Sequence, residues 1–347
     1  MIIPEGTRLK LDPRDDYTHE PEAATNYNES MYFNAFSLAE GMGAWMRIGN
    51  RVNEGHAEMT CCVHLADGSV GFMYARPAIT HNREMNAGAL RFDVLEPFKR
   101  FRVRYEGELL ILRNPLDMAH PGAAFKANPK RPALIELDFE GVSPMHGGEI
   151  VTLDGQPIVL DPVHAVFRGH TEQHLAARGH ITVDGVRHPI DSGTGYRDKS
   201  WGPRHWHNFY WYRWLPVTFG PDFSVLLSIM GREGQEPFII GHVCEGGGAL
   251  QPVRNVRMQT EWDEHFMHRA FTVSFDTDAR SYTLAGRVRS LIPLRHKPAA
   301  GADPASFTRI TEAMTEYQCD GRTTLGMSEF CDVVTDGIPI SHRLGWS

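Results

Sequence analysis

Apolar and polar positions alternate with a period of two along most of the chain. Leu90–Leu95, Phe101–Tyr105, Leu109–Leu112, Leu134–Phe139 and His180–Val183 read as strands. So do Phe209–Phe219, Phe223–Ile229, Phe238–Cys244, Val256–Trp262, Phe271–Phe275, Leu284–Val288 and Thr315–Gln318. Asp-Gly pairs at 67–68, 154–155, 184–185, 320–321 and 336–337 mark turns, several of them between strand-like runs. Helical periodicity is poor, and short helices are expected only within the first 30 residues and over Pro304–Ile310. Many short strands at close spacing predict an all-β fold of antiparallel sandwiches or barrels. No G-x-G-x-x-G, P-loop or G-x-S-x-G is present. Pro and Gly thicken between about 115 and 165, which places a domain boundary near 160. The halves 1–160 and 161–347 are each long enough for a barrel with its own core.

Composition narrows the classes. The 347 residues are 41% hydrophobic and 22% charged, which fits a folded soluble protein and excludes a disordered or collagen-like one. A net charge of −8 gives no footprint for nucleic acid or an anionic membrane. No run approaches the roughly 18 apolar residues of a membrane span. The start, Met1 to Gly6, has neither a basic nor an apolar signal region. Five Cys without C-x-x-C spacing predict reduced, partly buried thiols and a cytoplasmic location. Cys61 and Cys62 are adjacent, so a strand would point them to opposite faces.

The densest chemistry lies between Asp191 and Trp214, which holds four of the seven Trp and three of the ten Tyr. In an extended chain Tyr196 and Asp198 share one face, and Arg197 and Lys199 the other. Further on, Trp206, Asn208, Tyr210, Tyr212 and Trp214 alternate with His207, Phe209, Trp211 and Arg213. A strand with aromatics on both sides has one face in a sheet–sheet core and the other lining a cavity. An Asp among rings loses hydration, which raises its pKa, while Arg197 and Lys199 would lower it if close. Asp198 poised between them is a candidate general acid or base, with Tyr196, His205 and His207 as proton donors or relays. Arg197 or Arg204 would tune it or hold a substrate oxygen. Trp201, Trp206, Asn208 and Tyr210 would contact the substrate, and ring faces could stabilise a developing cation. The competing reading is structural: the Trp-Gly pair closes a barrel end, and Asp198 is only the ion-pair partner of Arg204 or Arg197.

The run Gly195-Tyr-Arg-Asp-Lys-Ser-Trp-Gly-Pro-Arg-His-Trp206 resembles the signature Gly-x-Arg-Asp-x-Ser-Trp-Gly-x-Arg of a large group of bacterial proteins. That group is similar to carotenoid 1,2-hydratases and AttH-like proteins, which are tandem lipocalin-like (calycin) chains. The resemblance extends to Asn28–Asn34 with Arg47-Ile-Gly49, to Thr171–His174, and to Tyr317–Arg322 with Gly326 and Glu329. It implies two lipocalin-like β-barrel or sandwich domains packed together around a mostly apolar cavity. It also implies that Asp198 occupies the position of the hydratases' proton donor to an alkene. Lys199 and the aromatic run 205–214 depart from that pattern, and a long carotenoid is not the expected substrate.

Eighteen His raise the question of a metal. His205-x-His207 would share a strand face, and His170-x-x-x-His174 has helical ligand spacing, but neither pair has a diagnostic third ligand, so no metal and no cofactor is expected. His265-x-x-His268 reads as an exposed turn, and Asp12–Asp16 as solvated surface. Glu29 and Asn34 read as strand-end caps rather than as groups reaching a cavity. Tyr32, Phe33, Trp45 and Met46 read as core. Glu172 could bond a substrate oxygen, or pair with Arg197 or Arg204. Glu316 and Glu329 carry the same ambiguity.

These readings predict a cofactor-free lyase or isomerase acting on a hydrophobic small molecule such as a terpenoid, steroid, polyketide or lignin-like aromatic. Alternatives are a non-catalytic carrier of an apolar ligand, or a metal-assisted enzyme using His205 and His207. Exposed strand edges would permit a homodimer.

Overall fold

The computed structural model describes residues 5–161, 165–205, 210–231, 235–296 and 306–346. A first antiparallel sheet holds twelve strands. They are β1 (Thr7–Lys10), β2 (Tyr27–Ser37), β3 (Met42–Arg51), β4 (His56–His64), β5 (Val70–Ala75) and β6 (Met85–Ala87). Next come β7 (Leu90–Glu96), β8 (Arg100–Leu112), β9 (Lys130–Gly141), β10 (His146–Thr152), β11 (Gly169–Val183) and β12 (Val186–Pro203). Strand β9 pairs with both β8 and β11. The strands β11, β12, β2, β3, β4, β5, β8 and β9 therefore close into a ring of eight. Closure leaves those strands without free edges and puts one face of each inside.

The second sheet holds ten strands. They are β13 (Trp211–Gly220), β14 (Phe223–Gly231), β15 (Phe238–Glu245), β16 (Gln251–Pro252), β17 (Arg254–Trp262), β18 (His268–Asp276), β19 (Ser281–His296), β20 (Ser306–Cys319), β21 (Arg322–Thr335) and β22 (Ile338–Pro339). Their order is β16-β15-β14-β13-β21-β20-β19-β18-β17, with β22 on β21. The two ends of this path meet through Val253, whose N–H donates to Gly241 O at 3.1 Å. The fold is all-β, as the alternation predicts, and among the described residues no helix is long and apolar enough to cross a membrane.

Turn chemistry sets much of the register. Asp184-Gly185, Asp320-Gly321 and Asp336-Gly337 have both φ values positive: 51° and 79°, 50° and 73°, 52° and 78°. That is the type I′ geometry that joins antiparallel strands in two residues, and Asp-Gly adopts it at low strain.

Each sheet has its own core. Met31, Phe33, Phe101, Leu137, Phe139 and Leu175 fill the ring. Trp211, Leu215, Val225, Phe271, Phe275 and Phe330 fill the second unit. A third cluster joins Tyr32, Phe36, Trp45 and Cys62 of the first sheet to Ile292, Met314, Leu325 and Met327 of the second. The outer face of the ring is therefore apolar where the second sheet covers it. Cys61 lies in the ring core and Cys62 in the joint, so adjacent thiols do take opposite faces. All five Cys are buried and free.

Several expectations are corrected. Ser306–Ile310 is extended, paired with β19 and β21, because cross-strand burial outweighs weak local helix preference; residues 304 and 305 lie outside the described set. The early helix is a single 3₁₀ turn, Pro13–Asp16, capped by Asp12. Asp15 and Asp16 are buried rather than solvated, since this turn docks on the ring. His268 is buried, bonding Ser328 Oγ at 2.9 Å, although His265 is exposed as expected. The Pro-rich stretch near 160 is a connection between β10 and β11 of one sheet; the chain changes sheets between Pro203 and Trp211.

Candidate functional site

The segment 195–203 is the end of β12, held between β11 and β2. Period-two geometry splits its side chains as the alternation predicts. Arg197 and Lys199 turn into the ring, where both are fully buried. Tyr196 and Asp198 turn outward, towards the second sheet.

The inward face carries a buried charge network. Arg197 Nη2 bonds Asp16 Oδ1, and its guanidinium lies 4.2 Å from the Phe101 ring centroid. Lys199 Nζ donates to Glu29 Oε1 at 2.7 Å. Glu29 also accepts from the His19 N–H at 2.8 Å, the Tyr27 hydroxyl at 3.1 Å and Asn82 Nδ2 at 2.6 Å, and pairs with His19 Nδ1 at 2.8 Å. Burial alone would raise the Glu29 pKa, but Lys199 and His19 outweigh it and hold it at about 2. Trp201 shares this face: it stacks on His19 at 4.2 Å and lies 4.7 Å from Lys199 Nζ. Glu29 is thus a strand-interior ion-pair partner rather than a strand-end cap. Gly202 follows at φ +115°, and a Cβ there would sit 2.5 Å from Arg168 N. Gly202→Ala is expected to destabilise the chain by about 1–3 kcal/mol in urea unfolding, through backbone strain. Unchanged stability would remove the conformational role given to this glycine.

The outward face carries the candidate chemistry. Register sets Glu172 directly opposite Asp198, and His174 opposite Tyr196. Like charges so placed repel. His170 relieves this: its Nε2 hydrogen-bonds Asp198 Oδ2, and its Nδ1 lies 3.9 Å from Glu172 Oε2. Burial would push the His170 pKa down, but the two carboxylates outweigh it and raise it. Burial would push the Asp198 pKa up, but the charge and hydrogen bond of His170, with Arg204, hold it below the usual carboxylate value. The contact therefore favours the charged form of each partner, the Asp198 carboxylate and the His170 imidazolium. Side-chain exposures of 24% and 22% leave both within reach of a ligand.

Aromatic rings and further acids enclose this pair. Trp214 Nε1 donates to Glu172 Oε1 at 2.9 Å. The Trp214 ring meets Tyr32 edge-on at 5.5 Å and Tyr196 at 5.6 Å. Burial, with Glu172 and Asp198 nearby, keeps the Tyr196 phenol neutral. Asn34 faces the same side and donates to the Tyr32 hydroxyl at 3.3 Å. From the second sheet, Tyr212 donates to Glu329, which lies opposite Glu312.

The expected site residues thus divide. Asp198, Tyr196 and Glu172 come together. Arg197 and Trp201 stand on the opposite face of β12, with other partners. Arg204 is half-buried, bonds Ser200 Oγ, and acts on Asp198 through its charge. His205 lies 3.0 Å from Asn26 Nδ2, and Tyr210 is exposed. Trp206, His207 and Asn208 lie outside the described residues. His170 was legible only as half of a helical His pair; on a strand, positions 170, 172 and 174 instead share one face. Glu312 carried no sequence signal. His170, Glu172 and Asp198 also have ligand atoms within 4.8 Å of one another, a set able to hold a cation.

No curated protein matches this chain. Among solved structures it is similar to the AttH-like protein NE1406 of Nitrosomonas europaea, with 13% identity, a TM-score of 0.61, and 95% of this chain and 98% of that one covered. It is similar to CghA, with 10% identity, a TM-score of 0.51, and 95% and 97% coverage. Kievitone hydratase from Nectria haematococca matches with 7% identity, a TM-score of 0.51, and 96% and 98% coverage. At these identities the likeness is one of fold. A family model described as "Domain of unknown function (DUF7064)" matches residues 12–334, so the chain belongs to that family.

Proposed function

We propose that this chain is an acid–base enzyme of the lyase (hydratase) or isomerase type, acting on a hydrophobic small molecule held between its two sheets. The observation that carries the reading is the Asp198–His170 pair, turned out of the ring towards the second sheet and within reach of a ligand beside Trp214, Tyr196 and Tyr32. Kievitone hydratase shares the fold, and CghA shares it and is known in a structure with Sch210972. In the hydration direction the imidazolium gives its proton to one alkene carbon. Water oxygen bonds the other carbon, and the proton that water loses returns to the imidazole. Asp198 holds His170 in its charged form and orients it. Fold alone does not assign chemistry, and the site residues are what the reading rests on.

The test is incubation in D₂O with a panel of prenylated aromatic, terpenoid, steroid and polyketide alkenes, followed by mass spectrometry. One panel member should gain the elements of water, or shift its double bond, with deuterium on carbon. Recovery of a tightly bound but unaltered compound would instead make the chain a carrier.

The electrostatics also set a pH profile. Activity should fall on the acid side as Asp198 is protonated, below the usual carboxylate range. It should fall on the alkaline side above the ordinary imidazole value of about 6.5, because His170 is raised. A rate that climbs steadily through neutral pH would contradict an imidazolium donor.

A further inference from the structure

We propose that Glu312 and Glu329 form a proton-sharing carboxyl pair, a second acid that the second sheet presents across the joint from Asp198. The inference rests on the reading above and deepens it. Glu312 and Glu329 are directly opposite on β20 and β21, in the register position where side chains on one face come closest. Two carboxyl groups so placed and largely out of water cannot both ionise cheaply, and one of them keeps a proton. Glu312 is 5% exposed, and its Oε2 meets no donor. Tyr212 donates to Glu329 Oε1, which leaves the shared proton on the Glu312 side.

The surroundings favour the same state. Tyr32 of β2, Cys62 of β4, Tyr212 of β13 and Cys331 of β21 face the pair, and all are neutral at pH 7. Asp198 of β12 adds negative charge, and Arg47 of β3 adds positive charge. Arg47 is shared with Glu58, 3.3 Å from its Nη1. One guanidinium so divided does not offset two buried carboxylates, and desolvation raises both Glu312 and Glu329 above the usual carboxylate value. Asp198 and His170 lie on the first sheet and this pair on the second. A ligand between them meets a carboxylate–imidazolium pair on one side and a neutral carboxyl on the other. In elimination, the neutral carboxyl gives its proton to the departing hydroxyl, which leaves as water. The proton lost from carbon is taken by the His170–Asp198 pair on the opposite wall, the reverse of its delivery in hydration.

Infrared spectra of protein with ¹³C-labelled Glu carboxyls test the shared proton without any substrate. At pH 7 the wild type should show the carbonyl stretch of a neutral carboxylic acid, and Glu312→Gln with Glu329→Gln should abolish it. Absence of that band in the wild type, or its survival in the double variant, overturns the proposal. Urea unfolding across pH is the second readout. A carboxyl raised in the folded state stabilises fully below its unfolded pKa, and that stability is lost as pH rises through its folded value. Glu312→Gln should therefore flatten the alkaline loss of stability; a loss at pH 7 would mark instead an ionised pair held by Arg47. On the compound converted in D₂O, Glu312→Gln should lower kcat by about 10²–10⁴-fold. Asp198→Asn should leave the infrared band in place, so failure of the pair and failure of the enzyme reading are separate results. A band with no compound converted by the wild type overturns the donor role.

Discussion

Asp198→Asn should lower turnover by about 10²–10⁴-fold while ligand binding and thermal melting change little. Asn keeps the side chain's shape and can still accept a hydrogen bond from His170 through its amide oxygen. What it removes is the negative charge that raises the His170 pKa against burial. Burial then pulls the His170 pKa down against Glu172 alone, and the imidazolium that gives the proton is depleted. His170→Gln should lose turnover by a similar factor, and the double variant should lose little more, because the two groups act as one proton carrier. The assay is the deuterium-incorporation reaction, with ligand binding followed by native mass spectrometry. Turnover by Asp198→Asn at the wild-type rate would end the mechanism.

The second large effect is on stability. Lys199→Met should destabilise the chain by about 3–5 kcal/mol, because it leaves the buried Glu29 carboxylate without its cation. Both side chains of this pair are wholly removed from water, and their contact is 2.7 Å. The remaining partners of Glu29 are His19, Tyr27 and Asn82, which hydrogen-bond it but do not replace the full charge. Lys199→Met combined with Glu29→Leu should recover much of the loss, since replacing both members of a buried pair by apolar groups is often close to neutral. Urea unfolding of the two single variants and the double variant measures this. A cost below about 1 kcal/mol for Lys199→Met would show that the network is not coupled as drawn. The sign with pH follows from the lowered Glu29 pKa. Its stabilisation is present above the ordinary carboxylate value and is lost as pH falls towards about 2.

These two effects come from opposite faces of one strand. The pleat sends Asp198 to the joint and Lys199 into the ring, so one motif serves both chemistry and architecture. Arg-Asp-Lys-Ser-Trp-Gly is accordingly read in two parts. Arg197, Lys199, Trp201 and Gly202 lock β12 to the 3₁₀ turn, to β2 and to the chain near Arg168. Asp198 alone of the motif's charged groups faces the second sheet.

The strands easiest to read in the sequence were those with one wet face. β8 carries the burial alternation of a strand packed on one side, and its apolar positions were legible at once. β2 was not, because all eleven of its residues are buried, with the ring on one side and the second sheet on the other. A strand covered on both faces loses the polar half of its pattern. The charge cluster at Asp12–Asp16 misled for the opposite reason. Local sequence gives no sign that Arg197, far along the chain, reaches Asp16.

By itself the sequence determined the all-β class, the Asp-Gly hairpin turns, and the opposite faces of Tyr196 and Asp198 against Arg197 and Lys199. Each follows from the period of the extended chain, which is local. Only the tertiary structure decided which partner each charged group meets. His170, rather than an arginine, sits on Asp198; Asp16 sits on Arg197; Glu312 is brought against Glu329. Those contacts depend on ring closure, on strand register and on the packing of one sheet over the other. Such distances arise between segments far apart in the chain, and no periodicity within a segment encodes them.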